Sequence, residues 1–435
     1  MSRIASFADM MTTLFERRPG RAAPPSRASV PDLCAALLSP QGDVSGIRIA
    51  RDILSHYRAM GEEERRAFFA HLAGKLDISP ARVIDAATRY RDTGDPKALV
   101  RLCREAEPRR QELLRRLNQP PGATEELVRM RLDLLRLIPQ APELRAIDFD
   151  FEHLFASWFN RGFLVLRPIG WSTPANILEK IIQYEAVHTI NDWDDLRRRL
   201  LPADRRCFAF FHPAMPEEPL IFVEVALCKG VPGSIQALLA EGRPPLAPAD
   251  FDTAVFYSIS NCQEGLRGIS FGNSLIKQVV EELRRELPQV ERFVTLSPIP
   301  GLQRWLRGRA EADPAAAALL EAAAAGDRDA LGRQDEALRR LAAEYLLTAR
   351  RADGLPADPV ARFHLGNGAL VHDVHALADM SANGLRQSCG AMVNYLYDLP
   401  QVEANNESFV TEKKVAASRQ VETLAASSST AGRKK

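Results

Sequence analysis

Net charge is nearly absent from this 435-residue chain: 57 lysines and arginines stand against 56 aspartates and glutamates, leaving +1. So weak an overall field does not steer a surface toward nucleic acid or an acidic membrane, and any anionic ligand has to be held locally. Cysteine is scarce and scattered, at positions 34, 103, 207, 228, 262 and 389, with no CxxC pair and no His/Cys cluster at zinc-ligand spacing. That usage fits a reducing compartment and leaves no resident metal to expect. No apolar run approaches the ~20 residues of a membrane span, and residues 1–20 lack the uninterrupted apolar core of a secretory signal. Phe7, Met10, Met11, Leu14 and Phe15, followed by arginines, faintly resemble an organelle transit sequence. An ordinary amphipathic first helix is the expectation there, in a soluble, cytoplasmic protein with no membrane and no nucleic-acid partner.

The apolar fraction, 46%, is enough for two or three buried cores at this length. From about residue 30 to 145 the apolar residues recur at three and four: Ile47, Ile49, Ile53, Leu54 and Tyr57, then Leu99, Leu102, Leu113, Leu114 and Leu117. This spacing predicts an all-helical domain over 1–145. Asn118 to Gly122 breaks the pattern, and Thr124-Glu-Glu-Leu127 reads as the cap of a new helix carrying Met130, Leu134 and Leu137.

After Ala146 the texture changes to mixed α/β, expected over 146–420. Cys207 to Phe211, Pro219 to Leu227, Thr253 to Ser260 and Val290 to Leu296 read as strands; Ser234 to Glu241 and Asn273 to Leu287 read as helices. The alanine-, leucine- and arginine-rich stretch at about 310–352 reads as a helical insertion on the α/β core. Residues 421–435, ending SSSTAGRKK, are expected to be disordered.

One turn could hold a phosphate. The β run Val255 to Ser260 is followed by Gly265, Gly268 and Gly272, and then by a helix with Leu275, Ile276, Val279, Val280 and Leu283 on one face. Glycines let backbone amides approach an anion, and a helix start supplies unsatisfied N–H groups and a partial positive charge. Many such turns only reverse the chain, so alone this one does not decide a function. Arg267-Gly268-Ile269-Ser270-Phe271-Gly272-Asn273 resembles the pyrophosphate loop of the coenzyme A-dependent N-acetyltransferase superfamily. It departs from that loop at Ser270, where a further glycine is usual. Lys277 and Arg284 are nearby candidates for the 3′-phosphate.

Longer segments resemble the malonyl-CoA decarboxylase family over nearly the whole chain. They are RGFLVLRPIGWSTPANILEKIIQYEAVHTINDWDDLRRRL (161–200), FFHPAMPEEPLIFVEVAL (210–227), FYSISNCQEGLRGISFGNSLIKQVVEEL (256–283), TLSPIPGLQRWL (295–306), ARFHLGNGA (361–369) and MVNYLYDL (392–399). The resemblance implies a helical oligomerisation domain, giving a homodimer or homotetramer, ahead of an acetyltransferase-like mixed α/β catalytic domain. It implies cleavage of malonyl-CoA to acetyl-CoA and carbon dioxide, with no cofactor beyond the coenzyme A of the substrate. It also implies that Ser297 is the proton acceptor and His364 the proton donor.

Decarboxylation puts negative charge on the α carbon and thioester oxygen. A catalyst therefore needs donors at that oxygen and a proton source for carbon. By local pattern alone, Ser297-Pro298 is a turn serine and His364 a structural histidine. Asn394, Tyr395 and Tyr397 could orient His364 or the carboxylate, or simply pack, and Ser270 could face the acyl end of the ligand. His372 and His375 could share a helical face as metal ligands, although core or surface roles are expected. Glu185, His188 and His212 are read as structural. Two other functions use the same loop: an acyl-CoA-dependent N-acyltransferase, and a non-catalytic acyl-CoA-binding regulator.

Overall fold

The structure is a computed structural model that describes residues 28–40, 42–243, 246–269, 271 and 275–431. Its chain forms two compact units, Met1–Leu154 and Phe155–Lys435.

The first unit is helical, as the apolar spacing predicts. Helices run over Val30–Leu38, Asp43–Ala59, Glu62–Lys75, Pro80–Thr93, Pro96–Ala106, Arg109–Leu117 and Ala123–Leu137, and a further helix, Arg145–Trp158, crosses into the second unit. Their buried stripe includes Ile53, Phe69, Leu72, Leu113, Leu117, Leu127, Leu134 and Phe151. The helix starting at Ala123 is capped differently from the sequence reading. Gly122 takes the N-cap position with φ 80°, and Thr124 lies inside the helix, its hydroxyl donating to Asn118 Oδ1 at 2.8 Å. The Pro-Pro-Gly turn, not the threonine, sets the entry of the chain, because only glycine reaches that φ without strain.

The second unit is built on a mixed eight-stranded sheet. Its strands are β1 (Val165–Ile169), β2 (Arg205–His212), β3 (Met215–Cys228), β4 (Thr253–Asn261), β5 (Arg292–Thr295), β6 (Ser297–Pro298), β7 (Leu370–His375) and β8 (Met392–Leu396). The order is β1-β2-β3-β4-β5-β8-β6, with β7 on β8. β1 to β4 are antiparallel; β4 and β5 are parallel, as a crossover through the helix Leu275–Glu286 requires. That helix buries Leu275, Ile276, Val279, Val280 and Leu283, the face its spacing predicts.

The stretch at about 310–352 holds three helices, Pro314–Ala325, Arg328–Arg333 and Asp335–Thr348. Other expectations change. Of the segment 421–435 expected to be disordered, residues 421–431 instead continue the helix Arg419–Ala431, with Val421 fully buried, while 432–435 lie outside the described residues. Val421 in the first turn and the half-buried Leu424 in the next dock it despite its serine-rich composition. His372 and His375 lie on strand β7, not on a helix, with His372 the extra residue at a bulge and His375 Nε2 held by Asn394 Oδ1. The described residues hold no group of three His, Cys, Asp or Glu able to bind a metal, and no helix among them is long and apolar enough to cross a membrane. The expected first helix around Phe7 lies outside the described residues, as do Ser270, Gly272 and Asn273.

Candidate active site

Two features of β4 open a cavity in the sheet. Its pairing with β5 runs from Thr253↔Arg292 to Phe256↔Thr295 and stops, so from Tyr257 to Asn261 β4 has no strand partner on that side among the described residues. On its other side the β3 register jumps from Glu224↔Ser258 to Val225↔Phe256, leaving Tyr257 as an extra residue. Such a bulge twists the strand and frees backbone groups from the ladder. The resulting cavity, about 250 Å³, is walled by Phe256, Ile259 and Asn261 of β4, by Val187, and by Ser297, Pro298, Val360, Phe363 and His364. Hydrocarbon makes up most of that wall, so polar groups within it act in a weakly screened setting.

Ser297 enters on the two-residue strand β6, paired with Val393 of β8. It is 5% exposed and its hydroxyl donates to Thr295 Oγ1 at 2.8 Å. His364 enters from the helix Pro359–Gly366 and is 3% exposed. Its Nε2 is 3.2 Å from Ser297 Oγ, and its Nδ1 is 2.9 Å from Tyr397 Oη. Tyr395 lies flat against the imidazole, centroids 4.6 Å apart at 25°, and its backbone N–H donates to Thr295 Oγ1 at 3.2 Å. Burial holds His364 down to about 3, so the ring is neutral near pH 7. A neutral imidazole has one N–H. With the Ser297 hydroxyl donating to Thr295 Oγ1, its oxygen accepts that proton from Nε2, which leaves Nδ1 to accept from Tyr397.

A residue the sequence reading missed holds these parts together. Asp358 caps the His364 helix, Oδ1 accepting from Val360 and Ala361 N–H at 2.9 and 3.0 Å, while Oδ2 accepts from Gly301 N–H at 3.2 Å. One carboxylate thus joins the helix of His364 to the loop that follows Ser297. Gly301 has to be glycine, since a Cβ there would come within 2.0 Å of Tyr345 Oη. The motif Asp-Pro before the helix was the available signal, as an Asx cap with proline in the first turn.

The other expected site residues divide. Asn394 is fully buried but bonds away from His364: Nδ2 donates to Thr295 O at 2.7 Å and Pro232 O at 3.3 Å, and Oδ1 meets His375 Nε2. It fixes β8 against β5, not the imidazole. Arg267 and Gly268 lie exposed at the start of the loop, Gly268 with φ 86°, and Ile269 is buried beneath it. Phe271 is half-buried. His212 bonds the Trp158 carbonyl at 3.1 Å and packs on Phe159, a structural role as expected.

Comparison with known proteins decides the family. The description "Malonyl-CoA decarboxylase C-terminal domain" matches residues 162–435, and "Malonyl-CoA decarboxylase N-terminal domain" matches 77–159. The chain belongs to the malonyl-CoA decarboxylase family. The mitochondrial malonyl-CoA decarboxylase of Anser anser anser is 33% identical over 417 residues, covering 86% of this chain and 82% of the goose protein. The mouse mitochondrial malonyl-CoA decarboxylase is also 33% identical, over 86% of this chain and 85% of its own. Crystal structures of malonyl-CoA decarboxylases are similar to this chain over most of its length. That from Rhodopseudomonas palustris has TM-score 0.86 and 51% identity over 91% of this chain and 98% of that one. That from Agrobacterium vitis has TM-score 0.86 and 48% identity over 92% and 100%. A carboxy-lyase acting on malonyl-CoA is what family membership makes of this chain, and the expected helical domain followed by a mixed-sheet domain is the architecture found.

Proposed function

We propose that malonyl-CoA loses carbon dioxide in the β4 cavity and that Ser297 and His364 carry the chemistry. The supporting observation is the Ser297 Oγ to His364 Nε2 contact of 3.2 Å in the wall of a largely apolar cavity. The bond between the α carbon and the carboxylate breaks, and its electron pair moves into the thioester carbonyl to give an enolate. In this reading the Ser297 hydroxyl turns from Thr295 Oγ1 to hydrogen-bond that oxygen, beside the main chain of β4 beyond its pairing with β5. One such donor is worth on the order of 3 kcal/mol to the transition state. The α carbon then takes one proton from the Ser297–His364 pair, and solvent restores it. The thioester carbonyl is itself the electron sink, so the step requires no metal, biotin or other cofactor.

The turn Arg267-Gly268-Ile269-Ser270-Phe271-Gly272-Asn273 is the proposed pyrophosphate cradle, supported by the left-handed Gly268 just ahead of the helix Leu275–Glu286. A homodimer or homotetramer through the helical unit is proposed as well. The helices Pro80–Thr93 and Pro96–Ala106 bury only Ala86 and Ala98, while Ile84, Leu99 and Val100 stay exposed. The cytoplasmic setting also stands as a proposal, supported by six free cysteines; fractionation of cells tests it.

Incubating the pure protein with malonyl-CoA and no acceptor tests the reaction. Acetyl-CoA and carbon dioxide should appear in equal amounts. Product that needs an amine would instead mark an N-acyltransferase, and binding without turnover a non-catalytic regulator.

A further inference from the structure

The helix Ala175–Tyr184 ends at Glu185, a residue with no part in the chemistry above, yet its carboxylate turns inward and is only 8% exposed. Its Oε1 accepts the backbone N–H of Val187 at 2.9 Å and of His188 at 2.7 Å. The Ser258 hydroxyl lies 2.8 and 2.7 Å from the two carboxylate oxygens, and the Ser260 hydroxyl donates to Oε2 at 3.2 Å. Arg199 holds the same turn from its carbonyl side, donating to His188 O at 2.8 Å and Thr189 O at 3.0 Å. A third Arg199 bond, 3.2 Å to Glu224 Oε2, reaches β3 at the register partner of Ser258.

Two buried charges thus take up the N–H and C=O groups of one short turn and fasten it to β3 and β4. The attachment points are placed with respect to the cavity. Val187 is part of its wall, and Ser258 follows directly on Tyr257, the residue in excess at the β4 bulge. Apolar packing could hold a surface turn without burying a carboxylate, which is costly unless every lone pair is used. What a fully bonded carboxylate adds is a single, rigid placement.

We propose that Glu185 is a positioning residue for the decarboxylation, holding Val187 and the Tyr257 bulge where the thioester end of malonyl-CoA sits. This rests on the reading of the β4 cavity as the reaction site. Glu185 touches no reacting atom; it acts through the turn and the strand.

The test measures kcat and KM for malonyl-CoA, with the thermal midpoint, in the full chain carrying Glu185→Ala, Glu185→Gln, or Ser258→Ala with Ser260→Ala. Glu185→Ala should lower kcat by about tenfold or more while KM stays within about threefold. Glu185→Gln keeps an acceptor for the two N–H groups and can donate to the serine hydroxyls, so it should return kcat to within about threefold of the parent. An active parent with equally active Glu185→Ala overturns the proposal, and so does a loss that glutamine does not restore and that follows the thermal midpoint. Should Glu185→Ala fail to fold, the double serine variant decides: a kcat about tenfold down supports the proposal, an unchanged one overturns it. A parent that binds malonyl-CoA and releases no acetyl-CoA overturns the reading of the reaction itself, a result distinct from these.

Discussion

Tyr397 Oη meets His364 at Nδ1, 2.9 Å away, on the ring atom opposite the one that meets Ser297. The tautomer follows from the far side of the ring: the Ser297 hydroxyl donates to Thr295 Oγ1, so its oxygen is left to accept the single N–H of the neutral ring from Nε2, and Nδ1 accepts from Tyr397. Tyr397→Phe should keep the buried ring and remove the hydroxyl. Losing one hydrogen bond of ~1.4 kcal/mol that matters in the transition state gives about a tenfold lower kcat with KM unchanged. Steady-state kinetics on the variant check it, and an unaltered kcat would mean that this bond plays no part in the transition state.

Asp358 should matter to both stability and rate. Asp358→Ala removes an N-cap and unties Gly301, so it should cost about 1–2 kcal/mol in urea unfolding. The same variant should lower kcat, since it frees the helix of His364 from the loop after Ser297. Asp358→Asn, which keeps an acceptor for the helix N–H groups, should recover most of the stability.

Acid should reveal the buried histidine. Burial holds His364 at about 3, below its ordinary 6.5, so as pH falls the unfolded chain takes up the proton first. The stability contributed by neutral His364 is complete above pH 6.5 and is lost as pH falls toward 3. Between pH 6.5 and 4.5 the parent should therefore lose stability faster than His364→Gln, by up to about 1.4 kcal/mol per pH unit. His188 and Glu224, which burial moves to about 4 and about 8, are present in both proteins and drop out of the difference. Urea unfolding at several pH values measures it, and equal slopes would contradict a buried neutral ring.

How much of this was legible in the sequence depended on range. Runs rich in Phe, Val and Ile located β2, β3 and β4, which are buried on both faces, and three-to-four spacing located the helix after the glycine turn, which buries the face its residues describe. β1 was missed: Pro168 interrupts it, and an edge strand tolerates proline where a central one does not. β7, with His372, Asp373 and His375 in six residues, offers no apolar alternation to read. The site was hardest. Ser297 and His364 stand 67 positions apart and His364 and Tyr397 33 apart, so no local pattern joins them. The family resemblance supplied the first pair, whereas the Tyr397 bond, the Asp358 tie and the Glu185 turn needed the fold.

The most direct test of the account is the kcat and KM of Ser297→Ala, of His364→Ala and of the double variant with malonyl-CoA. Each single change should lower kcat by about 10²- to 10⁴-fold with little effect on KM, and the double variant should be scarcely worse than either, because the two residues act as one unit. Parent-like kcat in either single variant, or losses that appear in KM and multiply in the double variant, would contradict it.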